Sequence, residues 1–167
     1  MQQLKEALDK KGVEYVESIA GGLVVTNNSY IKALNYEGKI TYQAMTSMLA
    51  AQAMQVEDGE NILDMCSAPG GKAVYISELA DVHITACDIH PHRLQLIEDY
   101  IRRMNARNIT VQYNDGVQFN KEYVDKFDRT ICDVPCSGLG VAGKKADIYL
   151  DASMDKCIEL SKIQYDI

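Results

Sequence analysis

The chain has 167 residues, 47% of them hydrophobic, which suffices for one core with a small appendage but not for two full domains. Its net charge of -7 argues against a large sequence-independent nucleic-acid surface, because such surfaces neutralise phosphates with clustered Lys and Arg. No apolar run approaches the roughly 20 residues that cross a bilayer, and the charged start MQQLKEALDKKG lacks a signal peptide's apolar stretch, so we expect a cytoplasmic protein without membrane contact.

The first 40 residues predict an irregular lead-in. Residues 4–16 are expected to form a helix that breaks near Gly12, and residues 22–26 form a short strand followed by the turn signal Asn27-Asn28-Ser29. From Thr41 onward, apolar side chains at helical spacing predict an amphipathic helix that ends before Glu57. We therefore expect a lead-in segment over 1–40 and a main domain over 41–167.

A regular alternation of strands and helices follows. Helices are predicted near residues 70–79 and 92–105, and residues 152–167 also show broadly helical spacing. The strands are predicted at residues 61–65, 83–87, 108–113 and 128–133. Strands separated by helices imply an α/β fold with a parallel sheet and right-handed crossovers.

The loop after the first predicted strand of this sheet has the sequence DMCSAPGGK, residues 64–72. Its proline fixes one φ angle, and its two glycines leave room for a ligand to approach the backbone. The following helix points free N–H groups at the same crevice. A plain strand-to-helix turn would explain the glycines, but it would not explain why Asp64 and Lys72 bracket them. A phosphate-binding P-loop fits poorly, because the glycine-to-lysine spacing is too tight.

Acidic side chains end the next two predicted strands. Asp88 can accept hydrogen bonds from both hydroxyls of a ribose, and Asp115 can accept one from an adenine amino group. Asp115 alone is equally compatible with a turn in Asn114-Asp115-Gly116. Because both follow strands whose carboxyl ends share one edge of the sheet, together with the glycine loop they favour an adenosine ligand.

The remaining chemical groups give weaker signals. The five cysteines form no CxxC pair and have no His at ligand spacing, so we expect free thiols, no disulfide framework and no metal site. Basic residues gather at Arg102, Arg103 and Arg107 and at Lys144 and Lys145. The arginines fall on a predicted helix, where a solvated face is the simpler interpretation than an RNA contact.

From about Tyr36 to the end, these motifs resemble the Sun (Fmu, RsmB) family of S-adenosylmethionine-dependent rRNA cytosine-5 methyltransferases. DMCSAPGGK is similar to the family's cofactor signature, and DVPCSG at 133–138 is similar to its Pro-Cys motif. The resemblance implies a Rossmann-like class I methyltransferase fold with helices on both faces of the sheet, S-adenosylmethionine as cofactor and ribosomal RNA, of the 16S type, as substrate. It implies cofactor contacts from Cys66, Ser67, Ala68, Pro69, Gly70, Gly71, Lys72, Asp88, Asp115 and Asp133.

The resemblance also implies a covalent mechanism. In the family a cysteine thiolate adds to carbon 6 of the target cytosine, carbon 5 takes the methyl group, and elimination restores the ring. Asp133 would steer the cytosine and lie beside the methionine end of the cofactor. Cys136 would assist release of the adduct.

Several positions depart from the family pattern. The family's attacking cysteine lies in a Thr-Cys pair on a later strand, and no such pair occurs in these 167 residues, so we expect a catalytic domain truncated before its later strands that binds cofactor without turnover. The family's Thr after the motif lysine is Ala73, its arginine-rich stretch reads GKKAD at 143–147, and the Asp that usually follows Gln43 is Ala44. The alternative is a non-catalytic cofactor- or RNA-binding module.

The fourth predicted strand also carries an expectation about assembly. If no fifth strand lies beside it, residues 129–132 form an unpaired apolar edge. We therefore expect self-association through this strand.

Overall fold

A computed structural model describes residues 1–26, 28–141, 143 and 153–167. The elements, in chain order, are helix α1 (Gln2–Lys10), strands β1 (Tyr15–Glu17) and β2 (Leu23–Val25), helices α2 (Ser29–Tyr36) and α3 (Met45–Gln52), strand β3 (Asn61–Asp64), helix α4 (Gly71–Leu79), strand β4 (His83–Asp88), helix α5 (Pro91–Met104), strands β5 (Ile109–Tyr113) and β6 (Arg129–Ile131), and helix α6 (Met154–Asp166).

Four parallel strands form the main sheet in the order β5-β4-β3-β6. Asp64, the last residue of β3, is in register with Ala86 of β4 and Ile131 of β6. The chain moves outward from β3 through β4 to β5 and then returns to the other side of β3 at β6. Ligands of open α/β sheets bind beyond the carboxyl ends of the strands at such a reversal.

One face of this sheet carries the main core. Alternate strand residues point to the same face, and Ile62, Ile84 and Ala86 pack there against Ala73 and Ile97 from α4 and α5. Helices α3, α4 and α5 lie side by side over this face. Capping defines α5, which begins with Pro91 and ends at Asn105 in the left-handed conformation.

The opposite face is contacted by a short 3₁₀ helix, Lys121–Tyr123. The Tyr123 hydroxyl lies 3.3 Å from Cys87 Sγ and donates to Gln112 Oε1 at 2.9 Å. Cys87 and Gln112 alternate with core residues along β4 and β5, so they face away from α5. The parallel sheet with helical segments on both faces is therefore confirmed.

The lead-in differs from the prediction at two places. Residues 15–16 were expected to be helical, but they lie in β1, which pairs antiparallel with β2. The difference arises from a tertiary contact. Helix α1 ends at Lys10, Gly12 adopts a φ of 63°, and the residues that follow can then pair with Leu23–Val25. Residues 29–36 form α2 instead of a turn, because Asn28 caps the helix by accepting from Ile31 N at 3.0 Å.

A second apolar cluster of Leu8, Ile31 and Leu34 stabilises the lead-in. The lead-in also contacts the main sheet's helices. The backbone oxygen of Ala20 accepts from Tyr75 OH at 2.8 Å, and the backbone oxygen of Asn35 accepts from Arg103 at 2.7 Å. None of the helices in the described ranges has the length and apolar character that a membrane span requires.

Candidate active site

The loop after β3 is held by backbone hydrogen bonds to both neighbouring strands. Met65 N donates to Ile131 O at 3.0 Å, and Ser67 N donates to Cys87 O at 2.8 Å. Gly70 N then donates to Ser67 O at 2.7 Å and closes the turn into α4. Because these bonds fix the backbone, the loop keeps its shape at the carboxyl edge of the sheet.

Gly70 is the position where this loop requires glycine. Its φ is 101°, a left-handed conformation that side chains rarely adopt. A Cβ placed on Gly70 would lie 3.3 Å from Ile97 Cγ2 and 3.5 Å from Ile97 Cα. The absence of a side chain therefore lets the start of α4 pack closely on α5.

Asp88 ends β4 with its carboxylate largely shielded, the residue being only 5% exposed. One carboxylate oxygen accepts from His90 N at 3.0 Å, and the other lies 3.9 Å from an Arg93 nitrogen. The backbone N–H and the more distant guanidinium support the negative charge. This leaves hydrogen-bonding capacity on Asp88 for a ligand at the cavity wall.

Asp115 follows β5 in a tight turn. Its Oδ1 accepts from Val117 N at 3.1 Å, so the turn predicted from the sequence and an available carboxylate oxygen coexist. The preceding Asn114 is buried and donates to Met65 Sδ at 3.2 Å. Asn114 thereby ties the end of β5 to the loop after β3.

These side chains surround a cavity of about 340 Å³, which we call the first cavity. Cys66, Ala68, Asp88, Asp115 and Asp133 all line it. Its apolar lining comes largely from other residues, namely Met65, Ile89, Val117, Leu160, Ile163 and Ile167. A lining that combines carboxylates with apolar side chains suits a ligand that combines hydroxyl and amino groups with a flat ring.

A second cavity of about 210 Å³ lies beside the first and shares Cys66, Ala68 and Asp133 with it. The Lys72 ammonium and Asp133 Oδ2 are 2.5 Å apart at its wall. The rest of the lining is Tyr42, Gln43, Ala44, Ser47, Asp64, Ser67, Pro69, Gly71 and Tyr100. The two cavities therefore meet at Asp133, the first acidic side chain after β6.

Asp64 is the most unusual group in this region. It is 1% exposed, and neither carboxylate oxygen has a hydrogen-bond partner of normal geometry in the described structure. Burial raises the pKa of Asp64 to about 6, although the nearby Ser67 hydroxyl and Lys72 ammonium oppose the shift. At neutral pH the site therefore contains a buried and poorly compensated negative charge.

The thiols differ in exposure. The pKa of the Cys66 thiol is raised to about 11, mainly by burial and to a smaller extent by the nearby Cys132. Burial also raises the pKa of the Cys132 thiol. Both thiols are therefore poor nucleophiles at neutral pH. Cys136 is exposed and lines neither cavity.

The structure brings together nine of the eleven site residues predicted from the sequence, and they line one or both cavities. The two exceptions are Gly70, which acts through packing, and Cys136. The sequence did not lead us to predict that Asn114 connects the end of β5 to the loop after β3. Its position directly after a predicted strand could have indicated such a role. The contribution of α6 to the first cavity was not predicted either. Lys144, Lys145 and Asp147 lie outside the described residues.

The strand order β5-β4-β3-β6, with a glycine loop after β3 and acidic side chains after β4 and β5, defines the Rossmann-like class I methyltransferase fold. A solved structure of a methyltransferase homologue from Pyrococcus horikoshii superposes with a TM-score of 0.72 at 25% identity, covering 93% of this chain and 50% of that one.

The family model described as 16S rRNA methyltransferase RsmB/F matches residues 51–167, and the chain belongs to this family. The chain is 31% identical to the probable ribosomal RNA small subunit methyltransferase B of Bacillus subtilis, covering 97% of this chain and 38% of the relative. It is 36% identical to the 28S rRNA (cytosine-C(5))-methyltransferase of Mus musculus, covering 84% of this chain and 19% of the relative. It thus spans less than two fifths of either relative.

Proposed function

We propose that this chain forms the S-adenosylmethionine-binding part of an rRNA cytosine-5 methyltransferase, including one wall of the target-base site. The observation that carries the proposal is the first cavity, which Asp88 and Asp115 line together with apolar side chains of α6 and of the loop after β3. Ribosomal RNA, of the 16S type, would be the substrate of the whole protein, and the cytoplasm its compartment.

The residues present fit the cofactor. Asp88 would accept from the ribose hydroxyls and Asp115 from the adenine amino group, while the 66–72 loop would follow the methionine end. S-adenosylmethionine supplies an electrophilic methyl group on a positively charged sulfonium. The cavity's acidic lining of Asp88, Asp115 and Asp133 favours such a cation, with Arg93 as a basic side chain at the same wall.

The target base would bind beside the cofactor, where the two cavities meet. Asp133 would accept from the exocyclic amino group of cytosine, a contact that carboxylates make with this base. Cys136 follows Asp133 by three residues and would assist release of the methylated base. In the family's mechanism the attacking thiolate belongs to a Thr-Cys pair, which does not occur in these 167 residues, so what we propose for them is cofactor binding and contact with the target base.

We also propose the division at residue 40. The cluster of Leu8, Ile31 and Leu34 is separate from the core under the main sheet, which supports a lead-in unit over 1–40. Self-association through β6 stays a prediction. In the described part of the chain, β6 pairs with β3 alone, which leaves its other edge available.

Calorimetric titration with S-adenosylmethionine tests the proposed function. The variant Asp88→Asn keeps an oxygen for His90 N but removes the charge that would bind the ribose. We expect one-site binding by the parent chain and a loss of about 1 to 3 kcal/mol in the variant, because charge-assisted hydrogen bonds contribute about that much.

The matched control is Asp125→Asn, which removes the same charge from an exposed position that lines neither cavity. It should bind like the parent. No binding by the parent, or equal losses in both variants, would contradict the proposed cofactor site.

A further inference from the structure

Asp64 lies beneath the second cavity as a buried carboxylate with no neutralising partner. Both of its oxygens lack hydrogen bonds in the described structure, and it is 1% exposed. An unpaired charge in such a place is costly unless a cation or donor reaches it. Because Asp64 lines a cavity in this state, a neighbouring cation or donor is needed to stabilise its ionised carboxylate.

Among the described residues that line the second cavity, Lys72 is the one with a cationic side chain. Its ammonium lowers the pKa of Asp64, so its charge is felt there, and both side chains line the second cavity. In the described structure, however, Lys72 forms its ion pair with Asp133 and none with Asp64. One cation therefore lies at the wall of a cavity that both carboxylates also line.

The two carboxylates differ in what else can reach them. The Asp133 side chain is 58% exposed and lines both cavities, so a ligand in either can engage it. Asp64 is enclosed, and an incoming ligand cannot replace Lys72 there as readily. The pair that forms in the free chain is the one that a ligand is best placed to disturb.

We propose that Asp64 is the alternate partner of the Lys72 ammonium, which transfers from Asp133 to Asp64 when a ligand engages Asp133. Asp64 is then a positioning residue: it holds Lys72 at the cavity floor and frees Asp133 to accept from the ligand. Only the identity of that ligand, the target cytosine, rests on the proposed function.

Other groups around Asp64 do not replace Lys72. The Ser67 hydroxyl and the Cys66 backbone N–H also lower the pKa of Asp64, but neither forms a hydrogen bond of normal geometry with its oxygens, and both are neutral donors. The Asp133 charge raises the pKa of Asp64. The remaining titratable neighbours coupled to Asp64 are the thiols of Cys66, Cys87 and Cys132, which are neutral at pH 7 because burial raises their pKa values.

The test is a carboxyl ¹³C NMR titration of Asp64 in the full 167-residue chain without cofactor or RNA, the signal being assigned with Asp64→Asn. Asp133→Asn imitates engagement of Asp133, because it removes the competing charge. Lys72→Met is measured in both backgrounds. We expect Lys72→Met to raise the pKa of Asp64 by at least about one unit more in the Asp133→Asn background than in the parent.

The difference between backgrounds is the decisive quantity. Removing the Asp133 charge lowers the pKa of Asp64 even if Lys72 stays in place, but it does not change the effect of Lys72→Met unless the ammonium moves. Equal effects in the two backgrounds would overturn the proposal. Lys126→Met, at an exposed position that lines neither cavity, should leave Asp64 unchanged in both.

Amide NMR spectra establish whether each variant is folded. If Asp133→Asn or Lys72→Met is not folded, Asp133→Ala and Lys72→Gln replace them in the same comparison. The titration needs no ligand. A failure to bind S-adenosylmethionine would therefore count against the proposed function, whereas equal Lys72 effects would count against the alternate pairing alone.

Discussion

Two groups of carboxylates share the carboxyl edge of the sheet, and they are supported in different ways. Asp88 and Asp115, beside the first cavity, each accept a hydrogen bond from a backbone N–H. Asp64, beside the second cavity, has no hydrogen-bond partner of normal geometry in the described structure, and Asp133 is paired with a side chain, Lys72. Backbone N–H groups stabilise the carboxylates of the first group, whereas those of the second group depend on the Lys72 ammonium, whose side chain can change position.

This difference has a functional meaning. Backbone donors cannot leave, so the charges of Asp88 and Asp115 are stabilised whether or not a ligand is present, as suits a site that binds one cofactor repeatedly. A carboxylate that is paired with a lysine side chain can lose this partner, because the side chain can move to another carboxylate. We expect the second group to respond to substitution and to ligands more strongly than the first.

The largest effect should come from Asp64→Asn through the pH dependence of stability. The folded-state pKa of Asp64 is raised from 3.8 to about 6, so between these values the folded protein binds more protons than the unfolded one. Stability contributed by Asp64 is therefore lost as pH rises from about 4 to about 6, by up to about 3 kcal/mol. Asp64→Asn should remove this loss, so that the variant gains over the parent above pH 6.

Denaturant unfolding at pH 4, 5, 6 and 7 measures this. Glu78 also has a raised pKa through burial and contributes in the same direction, but it is common to parent and variant. The difference between the two curves isolates Asp64. A constant difference across this range would show that Asp64 does not titrate there.

The next effect concerns the loop that both groups share. Gly70→Ala should cost about 2 to 3 kcal/mol of stability, because it combines a left-handed backbone with a Cβ 3.3 Å from Ile97 Cγ2. Gly59→Ala is the matched control: Gly59 has a φ of 88° but no atom within 4 Å of its Cβ position. It should cost only about 1 kcal/mol.

Urea unfolding of both variants provides the comparison. Equal losses would show that Ile97 yields to the added methyl group and that close packing of α4 on α5 does not require Gly70. If Gly70→Ala folds, its affinity for S-adenosylmethionine should also fall, since the loop would be displaced, whereas Gly59→Ala should bind normally.

The smallest effect is expected within the first group. Asp115→Asn keeps an oxygen for Val117 N, and Asp115 is more exposed than Asp88. We expect S-adenosylmethionine affinity to fall by about 1 kcal/mol, or about fivefold, which is less than in Asp88→Asn. Calorimetry with Asp125→Asn as control checks this ranking, and a larger loss at Asp115 than at Asp88 would reverse it.

The sequence was sufficient to predict the main sheet and most of the residues that line the cavities at its carboxyl edge. Each strand was marked by a short apolar run with turn residues after it. Because the carboxyl ends of parallel strands meet at one edge, Asp88 and Asp115 could be placed together from the sequence alone. The lead-in was harder. Residues 15–16 become a strand only because β2 lies beside them, and that pairing is a tertiary effect.

The charge balance around Asp64 could not be predicted either. The sequence showed Asp64 and Lys72 on either side of the glycines, but not that Lys72 pairs with Asp133, which lies 61 positions further along the chain. Nor could it show the burial of Asp64, which depends on the packing of α4 and the neighbouring strands. By contrast, the cap at Asn28 was readable, because Asn is a favoured residue at that position.

A crystal structure of this chain with S-adenosylhomocysteine tests the proposed cofactor site most directly. We expect the adenosine in the first cavity, with the ribose hydroxyls within hydrogen-bond distance of Asp88, the adenine amino group beside Asp115 and the homocysteine end along residues 66–72. Adenosine bound in the second cavity, or away from Asp88, would contradict the proposed site.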